Sequence, residues 1–144
     1  MADYLATAET EISASPAQVW AALTDPALIR RYMFGTLVET DWQPGSPILW
    51  KGEYEGHAYE DKGEIVEIEP QRRLKVTHFS PLSGQDDVPE NYHTLLYELT
   101  VTDSGDTTRV SLSQDKNASA DEAGRAKGNW EMMLRGLKEV VEGG

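Results

Sequence analysis

Apolar positions along this chain recur with two different periods, and the change from one to the other sets out its elements. Thr7 to Ser13 is a polar, β-compatible segment and predicts a first strand. Ser15-Pro16 then opens a helix: Ser15 suits the N-cap, Pro16 the first helical position, and Gln18 completes a capping box. Val19, Trp20 and Leu23 give that short helix its apolar side. Asp25-Pro26 breaks it, and Leu28, Ile29, Tyr32 and Met33 predict a second short helix ending near Gly35. From there the period falls to two. Ile48, Trp50, Gly52 and Tyr54 alternate on one face, as do Leu74, Val76 and His78. Leu95, Tyr97, Leu99 and Val101 follow, and then Val110, Leu112 and Gln114. Turn chemistry separates the runs at Pro44-Gly45-Ser46-Pro47, Glu55-Gly56, Glu69-Pro70-Gln71, Ser80 to Glu90 and Asp103-Ser104-Gly105-Asp106. Connections this short join antiparallel neighbours.

The period returns to 3.6 at the end. Ser119 and Glu122 read as a capping box, and Ala123, Trp130, Leu134, Leu137 and Val141 recur at three- and four-residue intervals. Ala126, Met133 and Val140 widen the stripe, Lys138 suits the C-terminal dipole, and Gly143-Gly144 ends the helix. Such a helix cannot bury that stripe alone, so it needs a broad apolar surface, with Trp130 central to the contact. The order is strand, two small helices, about six strands, long helix. It predicts an α+β fold: one curved antiparallel sheet with the Ala120–Glu142 helix packed on one face, in a single domain spanning 1–144.

Charge narrows the partners. The formal net charge is −12, from 25 acidic and 13 basic residues among 144. That field repels phosphate backbones and anionic bilayers, so nucleic-acid binding and membrane insertion are not expected. Zero cysteines exclude disulfides, thiolate nucleophiles and thiolate metal sites. No segment approaches about eighteen consecutive apolar residues, and Met1-Ala2-Asp3-Tyr4 lacks the basic start of a signal peptide, so the expected compartment is the cytoplasm.

Four motifs then carry a resemblance. They are Ser15-Pro16-Ala17-Gln18-Val19-Trp20-Ala21-Ala22-Leu23-Thr24-Asp25-Pro26; Gly63-Glu64-Ile65-Val66-Glu67-Ile68-Glu69-Pro70-Gln71-Arg72-Arg73-Leu74; Thr107-Thr108-Arg109-Val110-Ser111-Leu112; and Asn129-Trp130 with Leu134 and Leu137. In this order they resemble the proteins named for the activator of the heat-shock protein 90 ATPase, an AHSA-like family within the START-like (SRPBCC) superfamily. The resemblance implies a helix-grip fold, a bent sheet wrapped around the C-terminal helix, commonly with a cavity between them for an apolar small molecule. Members include binding modules, cyclase-like enzymes and co-chaperones, so fold is implied more narrowly than activity. His78 stands where relatives often carry Trp.

The candidate cavity residues are Trp50, Tyr54, His78, Tyr97, Gln114, Trp130 and Met133. His78 shares the face of Leu74 and Val76, and is either a cavity group that orients a ligand or moves protons, or a hydrogen-bonded core histidine. A bulge near Arg73 would reverse that face. Gln114 is either a cavity donor and acceptor or the wet end of a strand. The aromatic set Trp50, Tyr54, Tyr97 and Trp130 suits a pocket that holds rings, or plain core packing. His57 and His93 show no ligand spacing, so no metal is expected, and no phosphate-cradling or dinucleotide loop appears, so no cofactor is expected. Gly52, Gly56 and Gly63 read as bends of the sheet, and the acidic runs Glu53–Asp61 and Gln85–Glu90 as solvated loops. Three functions follow. The first is a soluble small-molecule binder for a lipid or aromatic ligand, monomer or homodimer, with the Ser80–Tyr92 loop as lid. The second is a cyclase-, aromatase- or hydrolase-like enzyme using His78. The third is a stress-response module that docks a chaperone or other protein.

Overall fold

The first strand forms because small and polar residues alternate along it. In β1 (Tyr4–Ile12), Ala6, Ala8 and Ile12 are buried while Leu5, Thr7, Glu9 and Glu11 face water. The computed structural model describes residues 4–33, 35–54, 56–80, 85–102, 106–117 and 119–143, and the side chain of Tyr54 lies outside the described set. The strand starts three residues before the polar segment Thr7–Ser13 and stops at Ile12, because Tyr4 to Ile12 lies along a partner strand from Asn117 to Thr108. Two short helices follow, α1 (Pro16–Thr24) and α2 (Pro26–Tyr32). Ser15 Oγ accepts from Gln18 N at 3.3 Å and Gln18 Oε1 accepts from Ser15 N at 3.0 Å, so both halves of the capping box are made. Asp25 ends α1 and caps α2, its Oδ1 accepting from Ala27 N at 2.9 Å.

The remaining strands are β2 (Leu37–Glu39), β3 (Pro47–Tyr54), β4 (His57–Glu69), β5 (Arg73–His78), β6 (His93–Val101) and β7 (Thr108–Asn117), with one 3-10 turn at Pro89–Asn91. They form one antiparallel sheet ordered β1-β7-β6-β5-β4-β3-β2, so the first strand closes against the last. β4 makes the curve. Its N-terminal part pairs with β3 from His57 to Glu64, and its C-terminal part pairs with β5 from Ile65 to Glu69. A bulge between Ile65 and Glu67 bends the strand and shifts its faces: Ile65 is fully buried, Val66 is exposed and Ile68 packs on the core. The acidic run Glu53–Asp61 is therefore not a solvated loop but belongs to the β3–β4 hairpin, whose last register pair is Tyr54 with His57, with Gly56 at positive φ beside it. Its charges obscured an alternation in which Tyr59, Asp61, Gly63 and Ile65 share one face.

Two glycines are required by close approach. A Cβ on Gly52 would lie 2.5 Å from the Tyr59 hydroxyl oxygen, so the ring of Tyr59 lies across Gly52, its register partner. A Cβ on Gly63 would lie 1.7 Å from the carbonyl oxygen of Thr77, so β4 and β5 touch backbone to backbone there.

Helix α3 (Ala120–Glu142) lies across the concave face, against β1, β7 and both short helices. The small side chains Ala6 and Ala8 let it approach β1 closely. Ser119 Oγ accepts from Glu122 N at 3.1 Å. Met133, Leu134 and Leu137 are the buried residues of this helix, whereas Trp130 is half-buried and packs at the margin of the core. The centre of the contact thus sits about one turn beyond Trp130. At the far end Lys138 Nζ donates to the Glu11 carbonyl at 2.8 Å and pairs with Glu142 at 2.7 Å, while Ser13 N donates to the same Glu142 oxygen at 2.7 Å. Among the described residues no helix is long and apolar enough to cross a membrane. The whole is an α+β helix-grip architecture.

Candidate functional site

Between α3 and the sheet lies a cavity of about 180 Å³. β3 contributes Trp50, alternating with Ile48, and Asp61 of β4 is its register partner across the hairpin. Tyr59 stands two residues before Asp61 on the same face. β5 supplies His78 at its end, β6 supplies Leu95 and Tyr97, α3 supplies Trp130, and Met33 and Thr36 close the side below α2. Trp50 and Tyr97 are buried apart from what the cavity exposes.

Four of its polar side chains form two pairs. His78 Nε2 lies 2.9 Å from Asp61 Oδ2, and the imidazole meets the Trp50 ring nearly edge-on, centroids 4.9 Å apart at 67°. Asp61 Oδ1 is shielded from solvent and has no hydrogen-bond partner. The Thr36 and Tyr59 hydroxyls are 2.7 Å apart. Thr77, on the opposite face from His78, accepts from Glu64 N at 2.9 Å, so no bulge near Arg73 turns β5 over. What this arrangement offers chemically is an aromatic wall, a carboxylate held to an imidazole, and a hydroxyl pair.

Burial also perturbs two phenols in this region. Desolvation pushes Tyr97 well above its ordinary pKa of 10.0, and does the same to Tyr32, whose hydroxyl donates to the Ala22 carbonyl at 2.9 Å. The unfolded chain releases these protons near pH 10 and the folded chain does not. Their contribution to stability is therefore intact below pH 10 and is lost as pH rises above it, by about 1.4 kcal/mol per pH unit for each phenol. Urea denaturation between pH 9 and pH 11.5 should show this decline, and Tyr97→Phe should flatten it. An unchanged slope in that variant would mean that the phenol ionises freely in the fold.

The family model described as "Activator of Hsp90 ATPase homolog 1-like protein" matches residues 13–142. The chain belongs to this family. Among solved structures it is similar to ChR145 from Cytophaga hutchinsonii, at 45% identity and a TM-score of 0.84, covering 97% of this chain and 94% of that one. It also shares its fold with the Aha1 dimer from Colwellia psychrerythraea (18% identity, TM-score 0.74, 96% of each chain). DynU16, described as a protein in the dynemicin biosynthetic locus, shares the fold at 16% identity and a TM-score of 0.78, over 96% of this chain and 47% of that one. Among curated proteins none matches the chain at significance.

Within this AHSA1-like fold, Trp50, His78, Tyr97 and Trp130 converge on the one cavity. Gln114 does not line it. Its Oε1 accepts from Trp130 Nε1 at 2.9 Å and its Nε2 donates to Asn117 Oδ1 at 2.8 Å, so it holds the indole from behind. Met133 does not line it either; it points into the core between helix and sheet. Tyr54 is outside the described side chains. Met33, Thr36, Tyr59, Asp61 and Leu95 were not expected there. Tyr59 and Asp61 carried a usable signal, their even spacing with Ile65, once the segment is read as strand. The Ser80–Tyr92 lid falls partly on residues 81–84, outside the described set. The described remainder sits on the outer face: Asp87 pairs with Lys62, Tyr92 donates to Asp87 at 2.6 Å and stacks on Phe79, and none of it lines the cavity. His57 is exposed, and His93 Nδ1 lies 2.7 Å from the Asp115 carbonyl oxygen. Among the described residues no three His, Asp or Glu side chains come together as a metal site would require.

Proposed function

We propose that this chain is a small-molecule binding protein whose ligand occupies the space between the sheet and α3. The observation that carries the reading is the aromatic-walled cavity of about 180 Å³ with the His78–Asp61 pair in its wall. Apolar walls supply binding energy through buried area, and a few fixed polar groups supply orientation. Larger concavities are more polar: one of about 310 Å³ lies between Gln114 and the Glu122, Arg125 and Asn129 side of α3, bordering Trp130. One of about 430 Å³ on the outer face is lined by Glu9, Arg72, Arg73, Glu98 and Arg109, and suits water better than an apolar ligand. Native mass spectrometry of the purified protein tests the proposal, with an expected mass excess that denaturation removes. A bare chain mass, together with no thermal stabilisation by any single-ring compound, would overturn it. A ligand present at 100 times its Kd should stabilise the fold by about 2.7 kcal/mol.

A second reading, an enzyme working through His78, gains support from one contact. Asp61 is placed to fix the imidazole tautomer, as an orienting carboxylate does for a general base. His78→Gln separates the two. The amide can still donate and accept, so a binder should retain much of its affinity, whereas an enzyme should keep affinity and lose turnover.

A further inference from the structure

We infer that the ligand of this cavity is a small organic cation, a single ring bearing an amine. The inference rests on the cavity being a small-molecule site, and it follows from size, charge and unmet hydrogen-bonding capacity.

Size comes first. A dry cavity of about 150 Å³ accepts benzene, so about 180 Å³ accepts one six-membered ring with a short substituent. A fused steroid-like skeleton or a lipid chain does not fit.

Charge decides the substituent. Asp61 is the acidic side chain in the wall, and none of the residues lining the cavity is Lys or Arg. The residues outside the described set include no Lys or Arg either. The one lining side chain able to carry positive charge is His78, and its Nε2 is already engaged by Asp61 Oδ2. A carboxylate or phosphate ligand would therefore face Asp61 with no free cationic side chain to receive it. A cation meets the opposite situation. An ionised carboxylate has about four acceptor positions. Asp61 has one contact, His78 at Oδ2, and Oδ1 has none. Oδ1 is shielded, and the torsion that carries the carboxylate is broad, so binding of an ammonium N–H turns the carboxylate toward it. Trp50, Tyr59, Tyr97 and Trp130 add ring quadrupoles that favour a cation beside them. The net charge of −12 draws cations to the whole molecule.

The test is calorimetric titration of the intact chain at pH 8 with four probes of one shape: benzylamine, benzyl alcohol, toluene and benzoate. Benzylamine should bind about tenfold or more tighter than toluene, benzyl alcohol should lie between them, and benzoate should be weakest. Asp61→Asn should lower benzylamine affinity about tenfold while moving toluene by less than about threefold. Benzoate or toluene binding as tightly as benzylamine in the wild type would overturn the inference while leaving the cavity a ligand site. Failure of all four probes at millimolar concentration would overturn both. The wild-type ranking decides the matter even if the Asp61 variant does not fold.

Discussion

Gly63→Ala should lower stability by roughly 3 kcal/mol or more, a large effect for a single methyl group. The new Cβ would stand 1.7 Å from the Thr77 carbonyl oxygen and 2.5 Å from its carbonyl carbon. Those atoms belong to the backbone of β5, so no side-chain rotation relieves the overlap. β4 would have to leave β5 at the point where it passes from pairing with β3 to pairing with β5. Overpacking commonly costs 1–3 kcal/mol, and a clash with fixed backbone belongs at or beyond the upper end, roughly 3 kcal/mol or more. Against a total stability of about 5–15 kcal/mol, that removes a large share of the margin that keeps the chain folded. The displacement would also separate Asp61, two residues before Gly63, from His78, which directly follows Thr77. Soluble yield and urea denaturation measure the effect, and a loss below about 1 kcal/mol would show that the two backbones do not meet as described.

Leu134→Ala is the second. Leu134 is fully buried on α3, flanked on the same stripe by Met133 and Leu137, at the contact with the sheet and the short helices. Truncation removes transfer free energy and leaves a hole that the rigid sheet cannot fill, a loss of about 2–5 kcal/mol. Trp130→Ala should cost less stability despite removing more atoms, because that ring already borders a cavity and is half-buried. The ranking is the informative part. Equal midpoints in urea, or a greater loss in Trp130→Ala, would move the structural centre of the helix back toward the cavity.

That reversal shows where the sequence was legible. Element order, sheet type and the caps at Ser15 and Ser119 all follow from periodicity and turn chemistry, which act within a few residues. The stripe on α3 is equally plain. Which member of the stripe is deepest is not, because depth depends on the curvature that the β4 bulge and Gly63 impose. The same holds for the site. Trp50, His78, Tyr97 and Trp130 lie on faces that alternation exposes to view. Gln114 shares such a face, but it lies near the end of β7 and is taken up by the Trp130 indole. Asp61 and Tyr59 were hidden by the charges of Glu55, Glu60 and Lys62 around them, which made a hairpin resemble a solvated loop. An acid in an amphipathic strand usually marks the wet face. Here it marks the cavity.

The central claim, that the space between sheet and α3 receives a small molecule, is tested most directly through the four indoles. Trp50 and Trp130 line the cavity, Trp42 borders a neighbouring gap of about 20 Å³, and Trp20 lies on α1, outside the cavity wall. Indole N–H resonances of uniformly 15N-labelled protein should be followed during separate titrations with toluene, benzyl alcohol and benzylamine. With at least one probe, Trp50 and Trp130 should shift together and saturate at a single Kd while Trp20 stays in place. If Trp50 and Trp130 remain fixed with every probe, or all four indoles drift alike without saturation, the cavity is not a ligand site.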